Sequence, residues 1–233
     1  MLLLAIDTAT TAITVAVHDG SRVLAEVTTL DARGHAEHLA PGISAALEEA
    51  GTGVGDLTDV VCGLGPGPFT GLRVGIVTAR TLALATGAAL HGVCSLDALA
   101  HEAYASGAQG ELLVATDARR KEVYWARYAS GPDGSPARLA GPHVARAADL
   151  PADAAALPAV GRGPGLYPDA FGDAGGPPLD VSAGWLADLA ARRLAAGDPL
   201  DEHEPFYLRR PDAVPSVPSV PSVPSVPATQ ART

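Results

Sequence analysis

The chain is poor in lysine, cysteine, aromatic residues and long apolar runs. Lys121 is the single lysine among 233 residues. A phosphate loop ending in Gly-Lys-Ser/Thr is therefore excluded from the whole first half of the chain. Cys62 and Cys94 are the two cysteines. They lack metal-ligand spacing and lie beside apolar, strand-like runs, so they read as buried thiols in a reducing compartment. No apolar run approaches the length of a membrane span. Met1–Asp7 has no basic region of the kind that opens a secretory signal, so the expected location is the cytoplasm, without membrane contact. Positive charge is also short: 16 Lys plus Arg against 26 Asp plus Glu, a net charge of −10. Phosphate neutralisation supplies most nucleic-acid affinity, so this chain should not hold RNA by itself. Aromatic residues make up 4% and apolar residues 47% of the sequence, which implies a core of small aliphatic side chains.

What is present is organised around Asp59–Gly75: a short apolar strand, a loop rich in glycine and proline, and a helix reaching about Gly87. The loop is either a stiff turn that aims the helix, with Thr70 as N-cap, or an anion site. Pro66 and Pro68 weaken the second reading, because each removes an N–H that would have to meet a phosphate. In the helix, Gly71, Gly75, Ala79, Ala83 and Gly87 recur every fourth residue and share one face. Interior glycine costs about 1 kcal/mol relative to alanine, so close approach of another element is expected. That element is either this chain's own sheet or helix, or a helix of another subunit.

Leu2–Ile6 reads as a strand buried on both faces and ends at Asp7. Ile13, Val15 and Val17 alternate with polar or small residues, as in a half-buried strand, and Asp19-Gly20 signals a hairpin into a third strand. A helix with Leu39, Ile43, Ala46 and Leu47 on one face follows. Ser95 is placed as the cap of a helix near residue 95. After Gly107–Gly110 the pattern restarts: Leu112–Thr116 is apolar, ends at Asp117, and forms a hairpin with Val123–Ala129 across Ala118-Arg119-Arg120-Lys121. Two halves that open alike imply an internal duplication. We divide the chain into a first lobe at 1–106, which binds the partner, a smaller second lobe at 107–213, and a tail at 214–233. Ser182 caps an amphipathic helix, and Pro205–Arg209 docks back on the fold. The Val-Pro-Ser repeats of the tail are expected to be extended and disordered.

Four stretches resemble the bacterial TsaB (YeaZ) family: Leu4-Ala5-Ile6-Asp7-Thr8, the Gly65-Pro66-Gly67-Pro68-Phe69-Thr70-Gly71-Leu72-Arg73-Val74-Gly75 motif, Asp117–Tyr124, and Pro205–Arg209. The long motif is the specific one, and the other three occur in the right order. The resemblance implies an α/β fold of two lobes, each a mixed sheet flanked by helices, as in actin, sugar kinases and heat-shock chaperone ATPases. It also implies a heterodimer with the paralogue TsaD through helices of the first lobe, with TsaD carrying the metal and the chemistry. The implied reaction is threonylcarbamoyl transfer to adenosine 37 of tRNAs reading codons that start with A. The ATPase TsaE would join the pair, tRNA would bind only through the complex, and the chain would self-dimerise without its partner.

The residues agree with a non-catalytic subunit. Neither aspartate is followed by a glycine-rich phosphate hairpin: Asp7 precedes Thr8-Ala9-Thr10-Thr11, and Asp117 precedes three cations. Asp7, Thr8 and Thr10 are at most a vestigial nucleotide site; otherwise Asp7 caps the end of its strand. His35 and His38 do not form a metal motif, and no nucleophile elbow is present. No catalytic or metal residue and no cofactor is assigned to the isolated chain; ATP or ADP is placed at the partner junction. The expected partner interface is Gly71, Leu72, Arg73, Gly75, Ile76, Ala79 and Ala83. Arg73, in the first turn of its helix, opposes the dipole and should meet an acidic group. Arg119-Arg120-Lys121 is a solvated hairpin tip, or a contact with a partner or with tRNA bound elsewhere. The alternative function is a stand-alone ATP-dependent phosphotransferase of the same superfamily.

Overall fold

The computed structural model describes residues 1–31, 34–131, 134–201 and 204–209; the Val-Pro-Ser tail lies outside the described residues. β1 (Leu3–Asp7), β2 (Ala12–His18), β3 (Val23–Leu30), β4 (Asp59–Gly63) and β5 (Ala89–Val93) form one sheet in the order β3-β2-β1-β4-β5. β6 (Glu111–Asp117), β7 (Glu122–Ser130), β8 (Pro136–Arg146) and β9 (Ala159–Val160) form a second in the order β8-β7-β6-β9. β1 runs antiparallel to β2 and parallel to β4; β6 runs antiparallel to β7 and parallel to β9. Strands 6 to 9 thus repeat the arrangement of strands 1 to 4, and Asp7 and Asp117 end equivalent central strands.

β1 is buried at every position, as its unbroken apolar run requires. One face, Leu4 and Ile6, joins Val60 and Cys62 beneath α1 (His35–Glu49) and α2 (Phe69–Thr86). The other face, Leu3 and Ala5, joins Ala16 and Val61 beneath α6 (Ala183–Ala196). Here the expected half-buried β2 is corrected, because all seven of its residues are buried. α6, from the second half of the chain, returns across the first sheet and covers the face that alternation had assigned to solvent. Small residues make this possible: Ala5 and Ala16 meet Ala183, Leu186, Ala187 and Ala190 in one cluster. Ser182 caps α6 as expected, its Oγ accepting from Trp185 N–H at 3.2 Å.

α3 (Ser95–Ala105) lies between the sheets. Cys94 occupies its N-cap position with no side-chain cap bond, so Ser95 is not the cap; its hydroxyl is committed elsewhere. Asp97, on α3, ties the halves together. It accepts two bonds from Arg138 on β8 (2.9 and 2.7 Å), one from the Tyr128 hydroxyl on β7 (2.8 Å) and one from Arg193 on α6 (3.2 Å). β8 had no sequence signal: Gly141-Pro142 breaks the pattern, which an edge strand tolerates. Short helices α4 (Ala152–Ala155) and α5 (Arg162–Leu166) complete the second half. The Pro205–Arg209 segment docks as expected, with Phe206 N–H on Leu64 O at 2.9 Å and Arg209 Nη1 on Ala118 O at 2.7 Å.

Candidate functional site

β1 delivers Asp7 to the junction of the lobes, where the side chain is fully enclosed. One oxygen accepts from Ala9 N–H at 2.8 Å and the other from the Ser95 hydroxyl, which in turn accepts from Gly65 N–H at 3.0 Å. Gly63 backs the carboxylate so closely that a Cβ there would lie 1.8 Å from Asp7 Oδ2. Burial pushes the Asp7 carboxyl up to about 6, against the opposing effect of the Ser95 and Ala9 bonds. Its oxygens are taken by the chain's own donors, the strand-end cap arrangement. Thr8 donates to Gly71 O at 2.8 Å.

The β1–β2 turn meets the second half through a carboxylate. Thr11 N–H donates to Asp180 Oδ1 at 3.3 Å, and Val181 N–H donates to Thr10 Oγ1 at 3.3 Å. Arg162, at the start of α5, grips Asp180 through Nε at 2.9 Å to both oxygens. Asp180 therefore takes up the Thr11 N–H of that turn. Between Thr10, His35, Thr116, Arg119, Arg162 and Asp180 a cavity of only about 30 Å³ remains. That is room for a water molecule or two. Buried His35 Nε2 and Thr116 Oγ1 border it without a partner among the described residues. Sequence reasoning gave no role to Arg162, Thr116 or Asp180, and of His35 it said only that it forms no metal motif with His38. The glycine loop after β9 was the available signal: a Cβ on Gly161 would lie 2.3 Å from Ala115 O, so only glycine lets this loop press Arg162 toward β6.

On the other side of the cleft, Asp117 accepts from Arg119 N–H at 2.8 Å and from the Tyr167 hydroxyl at 3.3 Å. The following Arg119, Arg120 and Lys121 have φ of 63°, 52° and 64°. Left-handed backbone at a non-glycine residue costs on the order of 1 kcal/mol each, and here three cations in a row adopt it.

The small-residue stripe of α2 is turned inward. Gly71, Leu72, Gly75, Ile76, Ala79 and Ala83 are all buried within this chain, which corrects their assignment to a partner interface. A Cβ on Gly71 would lie 2.7 Å from Thr8 O, and one on Gly75 2.4 Å from Thr8 Oγ1. The close neighbour is the β1–β2 turn, not another subunit. Thr70 does not cap α2 either: the helix starts at Phe69, Pro68 is the N-cap, and no side-chain cap bond forms. Arg73 is exposed and meets no acid in the first turn; its guanidinium lies 4.7 Å over the Phe69 ring. The opposite, outer face of α2 carries Phe69, Val77 and Leu84, 36%, 58% and 87% exposed. Both cysteines are buried free thiols, as expected, and burial pushes Cys62 up to about 12.

Repeated sheets of this order, facing across a cleft at the ends of β1 and β6, define the duplicated α/β fold shared by actin, sugar kinases and heat-shock chaperone ATPases. A family model described as TsaD, tRNA N6-adenosine threonylcarbamoyltransferase, matches residues 22–152. An uncharacterized protein of Mycobacterium tuberculosis is 44% identical over 216 residues, covering 91% of this chain and 93% of that one. The tRNA threonylcarbamoyladenosine biosynthesis protein TsaB of Escherichia coli is 39% identical over 134 residues, 58% of each chain. YeaZ from Pseudomonas aeruginosa superposes with a TM-score of 0.75 at 30% identity, over 89% of this chain and all of that one. The chain belongs to the TsaB (YeaZ) family.

Proposed function

We propose that this protein is a non-catalytic scaffold and activating subunit in tRNA threonylcarbamoyladenosine biosynthesis, acting as a heterodimer with a TsaD paralogue. The observation that carries the reading is the filled clamp. Asp7 is enclosed by Ser95 and Ala9, and Asp180 occupies the turn that would have to receive phosphate. The chain's own cleft is spent on holding its lobes together, so nucleotide, where the complex uses it, belongs at the junction with the partner. The partner's seat is the outer face of α2, where Phe69, Val77 and Leu84 share one stripe with Arg73. Leu84 in particular has most of its surface in water, a cost that a heterodimer removes. The same stripe serves self-association when the partner is absent. TsaE then joins the assembled pair, and tRNA is engaged by the complex.

The test is co-expression with the TsaD paralogue from the same genome, with purification on a tag carried by this chain only. Co-elution is expected, and Leu84→Asp is expected to abolish it. Isothermal titration of the isolated chain with Mg-ATP separates the alternative: tight binding would favour a phosphotransferase and overturn the scaffold reading.

A further inference from the structure

Beside the β6–β7 hairpin the second half carries a groove of about 690 Å³, with no residue of α2 among those lining it. Lys121 and Arg146 line it together with Leu166, Tyr167 and Pro168. Pairing of Glu122 with Arg146 across β7 and β8 fixes the two cations next to each other. Both are exposed, and neither is in an ion pair among the described residues. Asp169 is the one carboxylate among the lining residues. Of the neighbouring acids, Asp117 is paired with Arg119 and Glu122 with Arg209, while Asp149, next to the lining Ala148, is exposed.

We infer that this groove binds the phosphodiester backbone of RNA, with Lys121 and Arg146 as the phosphate contacts. Three observations point the same way. The hairpin keeps three cations in left-handed backbone, where glycine would fit without strain, so the side chains rather than the turn account for the residue types. The groove is positive on a chain whose net charge is −10, so its sign runs against the composition. Its size admits a sugar-phosphate segment with a base against Tyr167 and Leu166. The remote carboxylates oppose binding only over about 10 Å at 0.1 M salt, so a local patch acts once they are screened. The inference rests on the tRNA-modification reading for the choice of RNA as the polyanion. It adds a substrate contact on the lobe that does not carry the partner's seat.

The experiment is fluorescence anisotropy of fluorescein-labelled bulk tRNA titrated with the full chain from about 0.1 M salt upward, with wild type and Lys121→Gln/Arg146→Gln. Weak, saturable binding is expected, falling about tenfold in the variant. The salt dependence should become shallower by about 1.5 in log K against log salt, the loss of two phosphate contacts. The variant should fold normally, since both side chains lie in solvent, and circular dichroism checks this. Absence of tRNA binding, or equal affinity and slope in both proteins, would overturn the inference. Co-purification with the TsaD paralogue is run in parallel. If it fails while the tRNA arm succeeds, the scaffold reading is lost and the groove stands; if it succeeds while the tRNA arm fails, the reverse holds.

Discussion

The Asp7 carboxylate and the Ser95 hydroxyl share a hydrogen bond that solvent does not reach, since Asp7 is 0% and Ser95 1% exposed. Strand β1 and helix α3 are joined at this point. Because burial holds the carboxyl near 6 in the fold against 3.8 as a free side chain, the folded state binds the extra proton between those values. Stability from this group is therefore greatest below about pH 4 and falls as pH rises toward about 6. An Asn at this position keeps an acceptor for Ala9 and removes the buried charge. Asp7→Asn should flatten that interval and raise stability at pH 7 by up to about 3 kcal/mol, read as a higher urea midpoint. Urea titrations of both proteins at about pH 4.5 and pH 7 measure this. A midpoint difference that does not change with pH would exclude Asp7 as its source.

Gly75 and Thr8 form a second tight pair. Gly75→Ala places a Cβ against Thr8 Oγ1 and should destabilise the fold by about 1–3 kcal/mol. Thr8→Ala removes the obstruction, so the double variant should recover most of that loss; a thermodynamic cycle reads the coupling. Gly75→Leu is expected to unfold the chain, not to leave a folded monomer that has merely lost its partner.

Val77→Asp and Leu84→Asp, on the opposite face of α2, should leave stability within about 0.5 kcal/mol and abolish co-elution with the TsaD paralogue. Thermal melts and tagged purification read the two effects separately. Undiminished co-elution would move the partner's seat away from α2.

Asp97 is 2% exposed in its side chain and faces Arg138, Arg193 and the Tyr128 hydroxyl. Asp97→Ala removes the buried partner of two half-buried guanidinium groups, and breaking one side of a fully buried pair costs about 3–5 kcal/mol, an upper bound here. Because the contact joins α3, β7, β8 and α6, chemical denaturation should lose cooperativity between the halves as well as midpoint.

Cys62 is buried and its thiol is pushed up to about 12 by desolvation; Cys94 is shifted upward in the same direction. Neither should react with a thiol-exchange reagent at pH 8 in the folded chain, and both should react in urea. Rapid labelling of the native protein would contradict the packing around β4 and α3.

Residues that interact with near neighbours announced themselves in the sequence. The apolar run of β1, the Asp19-Gly20 turn, the 3.6-residue period of α1, the Ser182 cap and the restart after Gly110 all reflect forces acting within a few residues. The small-residue stripe of α2 was equally legible as a close approach, because glycine inside a helix signals missing volume. Its occupant was not: Thr8 lies 67 residues from Gly75 in the sequence. The same holds for the groove, where Lys121 and Tyr167 come together only because α5 folds under the β6–β7 hairpin.

Taken alone, the amino-acid order gave away most element types, the duplication and the family motif, since each depends on local chemistry or on spacing along the chain. Tertiary structure decided which surfaces meet. α6 crosses to the first sheet and buries both faces of β2, Asp180 fills the turn beside Asp7, and α2 shows its large apolar residues, not its small ones, to the outside. Burial depends on what arrives from elsewhere in the chain, and no window of sequence contains the element that arrives.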